Sequence, residues 1–387
     1  MMLKKLVKIL FVGALLLALL LSFAQAMFMP TDVNHFEVRT AKKLPHFTID
    51  GFLDDSFQEG VEAGLADQVT FSTYLKRLYI ELFAGINSIF DPLVERIPDR
   101  YIGYWKLNLF NGQLVYPPED MDTHREDIDR MAEMYNGYIA SMTEQDFYLY
   151  YIDMDLDIDF ETGEKSTLYE YLKDRIDIPD ERCGRFSVDS FEEYHEKYYL
   201  SDHHWNYLGS YEGYTDILRV LGVEEEPLAP LETVQLQGEF FGTKSVNAGT
   251  TGFSDHPLAY RFDFPPMEVF AGENPVGAYG AQDEILAGAP ITPAYSSFYG
   301  DDLGHVAFHT GREDRDNLLV IGDSFDNAVI RLLACHFNEL HSVDFRYYLY
   351  QTGEEFDLAS YVEEHDIDKV LLMGAAEFYY AISIGEG

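Results

Sequence analysis

The stretch that most restricts the fold lies near the carboxyl end. NLLVIGDS (317–324) is a continuous apolar run closed by a Gly-Asp-Ser turn, and FDNAVIRLLACHF after it has apolar residues at helical spacing. LHSVDFRY (340–347) reads as a strand, DLASYVEEHDI as a helix and KVLLMGAA (369–376) as another buried strand. Strands that are apolar on both sides need cover on both faces, and strands separated by helices run parallel. The expectation is an α/β fold, a parallel sheet between helical layers, with chemistry at the carboxyl ends of its strands. Ser324 stands at one such end.

Upstream, helical spacing marks 71–90, 126–142, 166–176 and 207–221, with Gly222 as a stop, and FYLYYIDMD (147–155) is strand-like. Residues 27–70 mix Pro, Gly and charge and read as an irregular arm with a short helix. Residues 223–316 carry frequent Gly, Pro, Thr and aromatics with short periodic runs, as in TVQLQGEFFGT and AYRFDF. They read as a loop-rich, partly β insertion in one domain spanning 27–387.

Residues 1–26 are set apart. Lys4, Lys5 and Lys8 precede the apolar run ILFVGALLLALLLSF, and AQA follows at 24–26. This is the pattern of a secretory signal, with an uncleaved membrane anchor as the alternative. Either places the body outside the cytoplasmic membrane, secreted or anchored to it. The whole chain is 47% hydrophobic and 15% aromatic, which argues against disorder. A formal charge of −41 repels nucleic acid and anionic lipid, so neither is expected as a partner. Cys183 and Cys335 could form one disulfide, but Cys335 sits in an apolar run and reads as a buried thiol.

A serine held in a turn between strand and helix has its Oγ clear of the sheet, but a neutral hydroxyl is a poor nucleophile. It needs a histidine base oriented by a carboxylate. YYLSDHHWNYLGSYEGY (198–214) supplies both, with Asp202 and His204 in Asp-x-His spacing and His203 directed elsewhere. A metal site formed by His195, Asp202, His203 and His204 is the rival reading. The helical His-Glu-x-x-His pattern is absent, so no metal is expected. DMDLDIDFETGE (153–164) lacks the spacing of a calcium loop and reads as strand followed by a solvated turn.

SDHHWNYLGSYEGY, LLVIGDSFDNAVIRLLACHFNELHSVDFRYY and DLASYVEEHDIDKVLL together resemble the DHHW protein family. That family is similar to the alginate O-acetyltransferase proteins AlgJ and AlgX of the SGNH hydrolase superfamily. FEVRTAKKLPHFTIDGFL and DQVTFSTYLKR resemble the family's lead-in, with Thr73 where an arginine is expected. The resemblance implies an SGNH-like three-layer sandwich with Ser324 as nucleophile, His204 as general base and Asp202 as its orienting acid. The separate Gly and Gly-x-Asn-Asp blocks of many SGNH enzymes are not found. The Ser324 N–H and the cationic Arg346 are the expected oxyanion donors. Trp205 and tyrosines 198, 199, 207, 211 and 214 are either packing residues or platforms for sugar rings.

The implied function is an extracytoplasmic O-acetyltransferase acting on a cell-envelope or secreted polysaccharide, neutral or amino-sugar in view of the protein's own acidity. The alternatives are a carbohydrate O-acetyl esterase and a non-catalytic polysaccharide-binding or assembly protein. The implied partners are the polysaccharide acceptor and a membrane acyltransferase as acetyl donor; no cofactor is required.

Overall fold

A computed structural model of the protein describes residues 99–380, apart from 105–106, 249–251, 273, 277–278, 292–294 and 301–302, together with scattered positions between 13 and 68. The chain divides into two units, Met1–Asn87 and Ser88–Gly387. In the first, Val33–Asn34 pairs antiparallel with Arg39–Thr40. The leader at 1–26, the helix expected at 71–90 and Thr73 fall outside the described residues, the leader save for a single position.

The second unit is built on an eight-stranded sheet. Its strands are β1 (Asp146–Ile152), β2 (Cys183–Phe186), β3 (Glu268–Ala271), β4 (Asn274–Val276), β5 (His305–His309), β6 (Leu318–Gly322), β7 (Glu339–Val343) and β8 (Lys369–Gly374). The spatial order is β4-β3-β5-β7-β6-β8-β1-β2. From β7 to β2 all neighbours are parallel, while β5, β3 and β4 extend the β7 edge as antiparallel strands.

Unbroken apolar runs, whose successive side chains point to opposite faces, make this sheet a middle layer. On one face Tyr148, Tyr150, Val320, Leu371 and Met373 pack with Tyr214, Ile217 and Leu218 of helix α1 (Tyr207–Val220) and with Ile330 and Leu333 of α2 (Ile330–Ala334). The intervening Phe147, Leu149, Leu319, Ile321, Val370 and Leu372 face the opposite way. They meet Ile128, Met131 and Tyr135 of the helix Arg125–Ser141, and Leu358, Tyr361 and Val362 of the helix Leu358–Glu364. Each fully buried aliphatic or aromatic side chain stabilises this arrangement by about 1.5–3 kcal/mol. The three-layer α/β sandwich expected from the sequence is thus the fold.

Four local expectations change. The segment 223–316 is partly woven into the sheet, because it contributes β3, β4 and β5. After Ser324 the chain forms a 3-10 turn at Asp326–Ala328 and only then α2; Val329, with φ of −121°, separates the two. The strand expected over 340–347 ends at Val343, where the Asp344 carboxylate accepts the N–H of Arg346 at 3.0 Å and starts the helix α3 (Phe345–Thr352). Within 153–164 the solvated turn forms only at 161–164, whereas Asp153, Asp155 and Asp157 before it are each at most 1% exposed. Their charges are met inside, Asp153 by Arg185 and Lys165, Asp155 by Lys244, while Asp157 accepts from the Tyr151 hydroxyl.

Candidate active site

Gly322 ends β6 with its α-carbon close to its surroundings: a Cβ there would lie 2.8 Å from Asp326 Oδ2 and 3.0 Å from the Met373 carbonyl oxygen. The chain then turns through Asp323 and Ser324. Asp323 holds the turn, its carboxylate accepting the N–H of Phe325 at 3.0 Å and that of Ala375 at 3.2 Å. Ser342 Oγ donates to Asp326 at 2.8 Å and ties the next turn to β7. Ser324 is left half-buried, its side chain accessible above the carboxyl end of the sheet.

The loop carrying Asp202 and His204 reaches this point from a distant part of the chain. His204 Nε2 lies 2.8 Å from Ser324 Oγ, and His204 Nδ1 lies 2.6 Å from Asp202 Oδ1. With Nδ1 protonated and donating to the carboxylate, Nε2 is the acceptor for the serine hydroxyl. The structure therefore brings together the three residues in which the sequence suggested nucleophile, base and orienting acid.

Asp202 is pinned by more than the imidazole. Its Oδ1 also accepts the His204 N–H at 3.0 Å and its Oδ2 accepts the Thr243 N–H at 2.7 Å. Burial alone would raise its pKa. The neighbouring His204 and His203, with hydrogen bonds from His204 and from the Thr243 N–H, outweigh burial and hold the carboxyl well below its usual range. The loop itself is anchored by Asp255, whose carboxylate accepts the N–H groups of Leu200 and Ser201, each at 2.9 Å, and the Ser201 hydroxyl.

The His204 ring is fixed from its sides. Tyr295 stacks on it at 3.8 Å between centroids with only 3° between planes, and Phe325 lies 4.8 Å away. Thr243, Asp255 and Tyr295 all come from 223–316 and were not singled out in the sequence. No spacing pattern ties them to Asp202 or His204, so nothing local points to them.

Other sequence candidates have different positions. Trp205 is 0% exposed, packed edge-on to Phe186 and beside Phe325, so it supports the loop from within and offers no face to a sugar. Tyr198, Tyr199 and Tyr214 are buried as well, whereas Tyr207 and Tyr211 are half-buried. Arg346 belongs to the first turn of α3, where its guanidinium forks onto the Asp344 carboxylate, with contacts of 2.6–3.1 Å. That pairing engages the cation expected to face an oxyanion. Among the described residues none accepts from the Ser324 N–H, which leaves it as a donor for substrate.

Asp202, His203 and His204 bring metal-ligand atoms within 4.8 Å of one another. However, both ring nitrogens of His204 are engaged, by Asp202 and by Ser324. His195 bonds to Gln113 at 2.8 Å instead of joining them. The donor set suits proton transfer better than metal ligation. Cys183 and Cys335 are free thiols, the latter buried. No helix among the described residues is long and apolar enough to cross a membrane.

The profile of the DHHW protein family matches residues 152–343, a span that contains Asp202, His204 and Ser324. Residues 152–343 belong to the DHHW family. The fold of this chain is similar to that of Bacillus cereus PatB1 with a sulfonyl adduct, at 16% identity and TM-score 0.53, covering 71% of this chain and 95% of that one. It is likewise similar to a DHHW family protein from Eubacterium siraeum, at 15% identity and TM-score 0.53, covering 73% and 94%. Similarity to the O-acetyltransferase domain of Pseudomonas putida AlgJ is looser, at 8% identity and TM-score 0.40, covering 70% and 90%. A comparison with curated proteins returned no match.

Proposed function

We propose that this DHHW protein is an extracytoplasmic serine acyl-transfer enzyme that moves an acetyl group onto a polysaccharide hydroxyl. The observation that carries the reading is the continuous hydrogen-bond line from Asp202 through His204 to Ser324. Ser324 Oγ attacks the acetyl carbonyl carbon while His204 Nε2 takes the hydroxyl proton. The Ser324 N–H donates to the oxyanion, and the Asp202 carboxylate stabilises the imidazolium. Collapse breaks the bond to the leaving group, which receives the proton, and leaves acetyl-Ser324. The acceptor hydroxyl then gives its proton to His204 Nε2, attacks the acetyl carbon and releases Ser324, which regains its proton. With water as acceptor the same steps make a carbohydrate O-acetyl esterase.

The acidity of the chain favours a neutral or amino-sugar acceptor, and a membrane acyltransferase is the partner that would deliver acetyl groups outside the cytoplasm. The leader-like residues 1–26 support that location.

Incubation of the purified protein with p-nitrophenyl acetate, following p-nitrophenol and intact mass, tests the reading. The expected result is an acetyl adduct or turnover that disappears in Ser324→Ala. A sulfonyl fluoride is a second probe, expected to label wild type with loss of fluoride and to leave Ser324→Ala unlabelled. A folded wild type that forms neither adduct would favour the polysaccharide-binding alternative. Product analysis with an acetylated and an unacetylated glycan separates transfer from hydrolysis.

A further inference from the structure

A second convergence of histidine and carboxylate lies away from the serine. β5 and β7 are antiparallel, with His309 directly opposite Glu339 and Ala307 opposite His341. Side chains alternate along a strand, so Glu339 and His341 share the face on which His309 stands. Glu339 Oε1 is 3.6 Å from His309 Nδ1, and Glu339 Oε2 is 3.1 Å from His341 Nε2. The donor atoms of all three residues lie within 4.8 Å of one another. A four-coordinate zinc ion with N and O ligands at roughly 2.0–2.2 Å sets its donor atoms about 3.4 Å apart. The two separations to Glu339 fall on either side of that value.

The surroundings of His341 go beyond those of a surface ion pair. Its other nitrogen, Nδ1, lies 2.7 Å from the Tyr361 hydroxyl, which in turn lies 2.6 Å from His305 Nε2. If Nδ1–H donates to Tyr361 and Tyr361 donates to His305, the Nε2 lone pair of His341 confronts the Glu339 carboxylate. That state replaces the 3.1 Å hydrogen bond between Nε2 and Glu339 and is favoured once a cation sits between them, and an outer hydrogen bond of this kind orients and strengthens a ligating histidine. The His341 side chain is 2% exposed, whereas His309 is 36% and Glu339 28% exposed. The cluster is rigid at its inner end and open to solvent at its outer end. The ring of His365 closes it from the helical layer, 4.6 Å from that of His341.

We propose that His309, Glu339 and His341 form a binding site for a divalent first-row transition metal of the zinc class, with solvent as fourth ligand. Two imidazoles and one carboxylate, without thiolate, suit such an ion better than calcium or magnesium. The site lies at the amino end of β7, whereas Ser324 follows the carboxyl end of the parallel strand β6, with Leu318 beside Leu340 and Ile321 beside Val343. The ion takes no part in acyl transfer; it ties the antiparallel edge strand β5 to the parallel part of the sheet.

Co²⁺, which reports coordination through its visible absorption, is the probe. Metal-stripped wild type is expected to bind one equivalent with a four-coordinate spectrum, to be displaced by Zn²⁺ and to melt at a higher temperature in the presence of either ion. His309→Ala and the near-isosteric Glu339→Gln, both at partly exposed positions, are expected to weaken Co²⁺ binding by more than about 100-fold, beyond the loss typical of an outer-shell partner. The His204→Ala variant is expected to retain the spectrum. The proposal is overturned if wild type shows no specific spectrum, if His309→Ala and Glu339→Gln bind as wild type does, or if His204→Ala alone abolishes binding, which would move the ion to the Asp202–His203–His204 group.

Discussion

In the proposed mechanism Asp202, His204 and Ser324 act as a unit, so their removal is expected to be non-additive. Ser324→Ala and His204→Ala should each lower acetyl-ester turnover by on the order of 10⁴-fold or more, and the double variant should be little worse. Asp202→Asn should cost about 10⁴-fold in kcat, because an amide in place of the carboxylate favours the wrong imidazole tautomer. Stopped-flow turnover beside circular dichroism of each variant checks both. Much of this was legible in the sequence, since Asp-x-His and Gly-Asp-Ser carry their chemistry in adjacent residues. The sugar-stacking role weighed for Trp205 does not fit its buried position, and the Arg346 guanidinium is paired with Asp344. An indole can pack or stack, and a guanidinium can pair or face a substrate. Here Trp205 packs against Phe186 from within, and Arg346 forks onto the neighbouring Asp344 carboxylate.

At the scale of elements, the segment 223–316 does more than fill space. A Cβ on Gly242 would lie 2.3 Å from Asp202 Cβ and 2.5 Å from its Oδ2, so only glycine lets this backbone approach and present the Thr243 N–H to Oδ2. Gly242→Ala should displace Asp202 and lower kcat by about 10–100-fold with the fold retained, read from the rate of acetyl-enzyme formation. Just beyond, Lys244 is wholly buried, its Nζ 2.6 Å from Asp155 Oδ2 and bonded to the Tyr194 hydroxyl. Lys244→Met leaves the Asp155 carboxylate buried without its counter-charge. It should destabilise the fold by about 3–5 kcal/mol in urea titration, with Asp155→Asn in the same chain restoring part of the loss. Neither feature has a sequence signature: a glycine and a lysine in a loop-rich stretch read as flexibility and solvated charge.

Over the whole molecule, two carboxyls beside the relay respond to pH with opposite sign. Asp323 is raised from its ordinary 3.8 to about 6, by burial first, with Arg346 and the N–H groups of Phe325 and Ala375 opposing. Between those values the folded state holds a proton that the unfolded chain has lost. Its contribution to stability therefore falls as pH rises through that window, by up to about 3 kcal/mol. Asp202 is held low, so its contribution is present above the ordinary carboxylate range and lost as pH falls. Asp323→Asn keeps an acceptor for Phe325 but cannot titrate. Urea unfolding from pH 4 to 7 should show a less negative slope than wild type, so that the difference between the two changes across this window; an unchanged slope would refute the assignment to Asp323.

By itself the sequence determined the layered parallel sheet, because the unbroken apolar runs along 147–152, 318–321 and 370–373 make both faces sticky and leave no other way to bury them. It also singled out Asp202, His204 and Ser324, which the fold brings into one hydrogen-bonded line, through two short motifs. Only the tertiary structure decided that 223–316 donates strands to the sheet and Thr243, Asp255 and Tyr295 to the site. It likewise decided that Asp153, Asp155 and Asp157 lie inside, and that His309, Glu339 and His341 meet. Periodicity records what a residue does relative to neighbours a few positions away. Which polar groups from distant segments come within 3 Å of one another depends on the path of the whole chain, settled by packing summed over the entire core.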